Sequence, residues 1–187
     1  SPYYSVPVVW HVLKTSSGTG DVTDTAIGQN MTVLNEAYRA SGHASGSVDV
    51  RVNFVLADKT PSGGSTTGIE RIVNGDLFEN LSEGVCGIYD QRDSLVGTNI
   101  SWDSAKYLNI VTFTGESATS QQHNWTYYPW YRSAFPYFNH VAYQYTNVGS
   151  SSDARILAHE VGHGMSLYHI NQSSCSGSCT SNGLTTG

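Results

Sequence analysis

Apolar and polar positions alternate along the chain in two periods, and the changes between them outline the elements. Val6 to Leu13 (VPVVWHVL) is an unbroken apolar run rich in β-branched residues, which predicts a buried strand. From Asp24 to Ala40 the period changes: Ile27, Met31, Leu34 and Tyr38 fall three or four apart and define one face of a helix. Ser47 to Ala57 (SVDVRVNFVLA) alternates apolar with polar and predicts a half-buried strand. Lys106 to Phe113 (KYLNIVTF) predicts a third strand and Trp125 to Tyr128 a short fourth, ended by Pro129. His140 to Thr146 (HVAYQYT) predicts a fifth. Ser/Thr/Gly-rich stretches at Thr15–Asp21 and Thr60–Gly68 read as loops, and Gly75 to Gly97 has no clear period. A second helix is expected from Ala154 to about Met165, opened by Ser150 and Asp153 in the spacing of a capping box. No internal repeat or charge block marks a second domain. The irregular mixture of strands and helices implies one α+β domain over residues 1–187.

Composition narrows what such a domain can do. With 39% hydrophobic and 13% charged residues, the chain carries enough apolar side chains for a packed core. Its formal net charge is -6 and lysine occurs only at Lys14, Lys59 and Lys106, so no basic surface invites nucleic acid. No apolar run approaches the roughly 20 residues of a membrane-spanning helix. Five N-x-S/T sequons, at Asn30, Asn80, Asn99, Asn124 and Asn171, are candidate glycosylation sites and lean towards a secreted, extracellular protein. Composition alone would give roughly two or three of them. The three cysteines, Cys86, Cys175 and Cys179, are disulfide candidates whose odd number leaves one for a free thiol, another chain or further sequence.

The chemistry concentrates in residues 159–169, HEVGHGMSLYH. On a helix, His159 and His163 lie on one face a turn apart, close enough to share one Zn²⁺ at roughly 2.0–2.1 Å. Leu157 and Val161 fall on the opposite face and would anchor the helix in the core. A sharp turn after the helix would bring His169 round as the third ligand, leaving a fourth position for water, as in catalytic zinc sites. Glu160 beside the first ligand is then placed as general base for a metal-activated water that attacks a peptide carbonyl. Four residues of these types at these offsets arise by chance in on the order of a few chains per ten thousand. Histidines on an ordinary helix without a metal are a weaker explanation of so specific a pattern.

At these residues the chain resembles the metzincins, zinc peptidases with the pattern H-E-x-x-H-x-x-G-x-x-H, and among them the pappalysin family. VPVVWHVL, TVLNEAYRASG at 32–42, VDVRVNFVLAD at 48–58, TTGIERI at 66–72, YLNIVTF at 107–113 and YYPW at 127–130 resemble family segments in family order. The resemblance implies a metzincin (zincin-like) catalytic domain: a twisted mixed sheet of about five strands, a backing helix and an active-site helix. It also implies that Trp125, Thr126, Tyr127 and Tyr128 form the cleft-edge strand, against which an extended protein or peptide substrate pairs. Ser166 stands where the family has a turn glycine, at a cost of about 1 kcal/mol if the turn needs positive φ, unless Gly164 carries part of the bend. Ile170 matches neither the Glu of astacins nor the Asp of adamalysins, whereas pappalysins usually have Thr there. The family's methionine turn lies downstream of the third histidine, yet Met31 and Met165 both precede His169. The expectation is therefore an upper subdomain through His169, with 170–187 the start of a truncated lower subdomain whose remainder, or a second chain, is missing.

Other residues offer weaker candidates. Cys175 and Cys179 with His169 as a second zinc site is less favoured than disulfide chemistry. Asp76, Glu79, Asp90 and Asp93 could hold Ca²⁺, but a solvated acidic face explains them better. His11, His43, His123 and His140 read as structural. The aromatic cluster Trp125, Tyr127, Tyr128, Trp130 and Tyr131 reads equally as a substrate wall or as core. The function expected is a secreted zinc metalloendopeptidase. The alternatives are a non-catalytic binding or structural module on the same fold, and a metal-dependent hydrolase of a non-peptide substrate.

Overall fold

A computed structural model describes residues 2–39, 48–80, 100–114, 124–130, 140–150 and 153–169. Its organising element is β1 (Tyr4–Lys14), whose residues from Val8 to Leu13 are all fully buried. Alternate side chains of β1 serve opposite faces of the sheet. Val8, Trp10 and Val12 face one cluster with Ile27, Met31 and Leu34 of helix α1 (Asp24–Tyr38) and Leu157 and Val161 of helix α3 (Ala154–Gly164). Leu13 faces a second cluster, with Leu77 and Phe78 of helix α2 (Gly75–Asn80), Val111, Phe113, Trp125 and Ala142. Val9 packs with Ala57 and Trp102. A strand covered on both faces has no need of polar alternation, which is why its sequence reads as a continuous apolar run.

The neighbours of β1 complete a mixed sheet. Its first half pairs in parallel with β2 (Val52–Leu56) and its second half, on Trp10 to Lys14, with β3 (Ile69–Val73). On its other side lies β4 (Leu108–Phe113), followed by β6 (His140–Gln144), both parallel to it. The short β5 (Asn124–Thr126) pairs antiparallel with β6. The order is β2-β1-β4-β6-β5, with β3 beside β1. Helix α1 is the expected backing helix, opened by Thr23, whose hydroxyl accepts from the Ala26 N–H at 3.2 Å. No helix among the described residues is long and apolar enough to cross a membrane.

Three expectations need correction. The sheet has six strands, because Ile69–Val73 (IERIV) is one; its side chains are half-buried or exposed, so the sequence offers no clean alternation there. The second strand begins at Val52 and not at Ser47: Arg51 adopts φ 59°, its N–H bound by the Asp49 carboxylate, and Val48 and Val50 are exposed. Asn30 cannot be a glycosylation site in the folded chain. It is fully buried, donating to the Tyr143 hydroxyl at 3.1 Å and accepting from the Gly149 N–H at 2.6 Å. Asn124 is half-buried in β5, its side-chain oxygen accepting from the Gln144 N–H. Cys86, Cys175, Cys179, Asn99, Asn171, the side chain of Asn80, His43, His123, Asp90, Asp93, Tyr131 and residues 170–187 lie outside the described residues.

Candidate metal centre

Helix α3 carries the chemistry on one face and its anchor on the other. Leu157 and Val161 are fully buried in the first cluster, Glu160 and His163 are nearly so, and His159 is exposed. At its start, Ser150 and Asp153 meet as the spacing predicted: the Ser150 hydroxyl donates to the Asp153 carboxylate at 2.7 Å. The helix proper then opens at Ala154 with Asp153 as cap residue.

The far end decides the site. The Ser166 N–H donates to the His163 carbonyl and the Leu167 N–H to the Gly162 carbonyl, both at 2.9 Å. This pair of reversed bonds is a Schellman ending, which requires a left-handed residue between them. Ser166 supplies it, with φ 73°, while Gly164 has no positive φ. The bend therefore sits on Ser166. The apolar contact that accompanies such an ending is also present: Leu167 packs so closely on Gly162 that a Cβ there would lie 3.5 Å from its Cδ1. Reversal of the chain brings His169 back beside the helix.

The Nε2 atoms of His159, His163 and His169 then stand 3.0 Å from one another in all three pairings. The His163 Nδ1 lies 2.7 Å from the Leu167 carbonyl oxygen and must donate to it, so its Nε2 presents a lone pair to the other two. An equilateral triangle of this size has its corners about 1.7 Å from its centre, so a point about 2 Å from all three nitrogens exists, as Zn²⁺ ligation requires. This is the one cluster of metal-ligating groups among the described residues. Burial holds the His163 and His159 imidazoles below the ordinary histidine range, and the neighbouring histidines add to the effect at His159. Both are thereby kept in the neutral form that a metal needs. Asp76 and Glu79 are exposed on α2 and join no such cluster.

The other expected residues divide. The Trp125 ring is buried in the second cluster, edge-on to Tyr127 and His140, so its side chain is core. Thr126 donates to the His140 carbonyl at 3.0 Å. Tyr127 is half-buried against the second cluster, whereas Tyr128 meets the His163 ring edge-on at 5.3 Å. His11 and His140 are buried, and His11 lies between Glu70 and Asn109, 2.9 Å from each. Two supports of the centre have no signature in the sequence. One is the Leu167 backbone carbonyl. The other is Tyr38 of α1, whose hydroxyl donates to the Ala158 carbonyl just before the first histidine and whose pKa burial pushes up to about 12.

Comparison with known proteins points the same way. The sequence pattern of the family Peptidase_M43, described as pregnancy-associated plasma protein-A, matches residues 90–185, just over half of the chain. No curated protein matches by sequence. Among solved structures, mature mirolysin of Tannerella forsythia in complex with a cleaved peptide has a TM-score of 0.72 at 24% identity, covering 95% of this chain and 69% of that one. Mirolysin in complex with compound 9 has a TM-score of 0.73 at 25% identity, covering 96% of this chain and 70% of that one.

Proposed function

This chain belongs to the pappalysin family of metzincin metalloendopeptidases, and on that footing we propose that it cleaves protein or peptide chains with Zn²⁺ on His159, His163 and His169 and with Glu160 as general base. The observation that carries this reading is the triangle of Nε2 atoms 3.0 Å apart, with the buried Glu160 one residue from the first of them. When bound, the ion supplies Lewis acidity to a water molecule and to the substrate carbonyl. The chain's own residues do the rest. His163, pinned by the Leu167 carbonyl, keeps its lone pair on target. Glu160 takes the proton from the attacking water and hands it to the departing amine. Strand β5, the last of the sheet among the described residues, offers backbone groups to an extended substrate, which would lie antiparallel or parallel to Asn124–Thr126 as an added strand.

In this reading residues 1–187 form one catalytic domain whose upper part runs to His169, and the protein works outside the cell, where sequons other than the buried Asn30 would be used. Finding the native protein in the medium of its source, glycosylated, would support the location; retention inside the cell would remove it. The central test is casein cleavage by the zinc-loaded protein, its loss on chelation and its return with added Zn²⁺. Glu160→Gln should keep the zinc and lose on the order of a thousandfold or more in rate, since it removes the general base. A wild type that binds zinc and cuts no peptide would favour a non-catalytic module on this fold.

A further inference from the structure

Among the described residues, a slab of three aromatic rings that the proposed chemistry does not use stands beside the candidate metal centre. Tyr128 and Trp130 stack face to face, with centroids 4.5 Å apart and planes 7° from parallel. Tyr168 lies against both, 5.1 Å from Tyr128 and 5.4 Å from Trp130. Tyr128 meets His163 edge-on, and Tyr168 immediately precedes His169. The slab therefore bridges the chain leaving the edge strand β5 and the turn that carries the third histidine.

Exposure separates these rings from the core. Trp130 is 43% exposed and Tyr168 and Leu167 are each 58% exposed, whereas Trp125, on β5 itself, is only 5% exposed. Large apolar side chains left open side by side mark contact surfaces, and tryptophan and tyrosine are the residues in which binding energy concentrates. Mutual stacking fixes the ring planes before any ligand arrives, which lowers the entropy lost on binding. Tyr128, Trp130, Leu167 and Tyr168 carry no charge, so the surface suits an apolar partner.

We propose that this slab is a substrate subsite that receives one bulky apolar side chain, preferably aromatic, from a peptide lying across the metal centre; the inference rests on the endopeptidase reading. By way of Tyr128, Trp130 lies within about 10 Å of the His163 ring, and side chains on one face of an extended peptide recur about every 7 Å. The side chain concerned thus stands about one to three residues from the scissile bond.

Binding to the zinc-loaded Glu160→Gln protein tests the slab without requiring turnover. Labelled peptides carrying Phe, Leu, Arg or Gly at each position in turn are titrated by fluorescence anisotropy, with zinc content measured for every variant. At one position Phe should bind about tenfold more tightly than Gly, the effect of burying one apolar side chain. Trp130→Ala and Tyr168→Ala should bring that ratio towards one, and Trp130→Phe should restore most of it. Survival of the ratio in both alanine variants would overturn the proposal, as would a preference for Arg over Phe. An equal loss for every peptide, Gly included, would show that the slab only holds the His169 turn. If the wild type cuts no peptide, the endopeptidase reading fails on its own, and the titration still reports on the slab.

Discussion

Replacing Ser166 by Gly should stabilise the fold without changing how tightly the site takes zinc. Ser166 holds φ 73°, in the left-handed region, where a side chain costs about 1 kcal/mol relative to glycine. Glycine returns part of this gain through the greater freedom of the unfolded chain, leaving a net stabilisation of about 0.5 kcal/mol. For a domain of this size that raises the thermal midpoint by about 1–2 °C. Ser166→Val puts a β-branched side chain in the same place and should lower the midpoint by at least about 2 °C. The bonds that define the turn run between Ser166 and His163 and between Leu167 and Gly162, and neither involves a ligand nitrogen. Strain in the turn is then common to the zinc-free and zinc-loaded protein, and the zinc Kd of the Gly variant should stay within about twofold of wild type. The assay is thermal unfolding by circular dichroism with and without zinc, paired with chelator competition. A lower midpoint for the Gly variant, or an unchanged one for Val, would show that residue 166 does not carry the left-handed turn. Zinc binding more than about fivefold tighter in the Gly variant would mean that the strain is incurred only when metal binds.

Other outcomes follow from the same geometry. Asn109→Ala removes a buried amide that bonds the Trp102 N–H at 2.7 Å, the Trp102 carbonyl at 2.9 Å and His11 at 2.9 Å, and should cost about 3 kcal/mol or more in urea unfolding. A loss below about 1 kcal/mol would mean that water replaces it at little cost. Because burial depresses His159 and His163, the unfolded chain takes up protons first as pH falls, so the zinc-free protein should lose stability below pH about 6.5. His159→Gln should flatten that profile between pH 7 and 5, and an unchanged slope would contradict the assignment. Expressed through a secretory pathway, the protein should carry no glycan at Asn30, whose amide is committed to Tyr143; peptide mapping that found one would show that α1 does not pack as described.

Much of the fold was legible because its signals are local. Strand β1 buries both faces, so its apolar run is continuous; α1 buries Ile27, Met31 and Leu34, so its helical period shows. Where burial is partial the signal fades, as in β3, whose Ile69, Glu70, Arg71, Ile72 and Val73 are all at least partly open to solvent. The alternation from Val48 to Val52 extends beyond the strand because one left-handed residue, Arg51, precedes β2 without altering the pattern of residue types. Trp125 and Trp130 look alike in sequence, yet one lies in the core and the other faces solvent beside the metal centre.

The sequence by itself determined which side chains the candidate centre gathers on its helix. Four-residue spacing on a helix puts His159 and His163 on one face whatever else the chain does, because the helical repeat is set by the backbone. Tertiary structure decided everything that depends on a reversal or on a neighbour distant in the chain. The third histidine converges only because Ser166 accepts a left-handed conformation and Leu167 turns its carbonyl to His163. A backbone carbonyl has no letter of its own, and the packing of Tyr38 behind the helix joins residues 120 positions apart. No local pattern encodes such contacts, which arise from the closure of the sheet on its two helical layers.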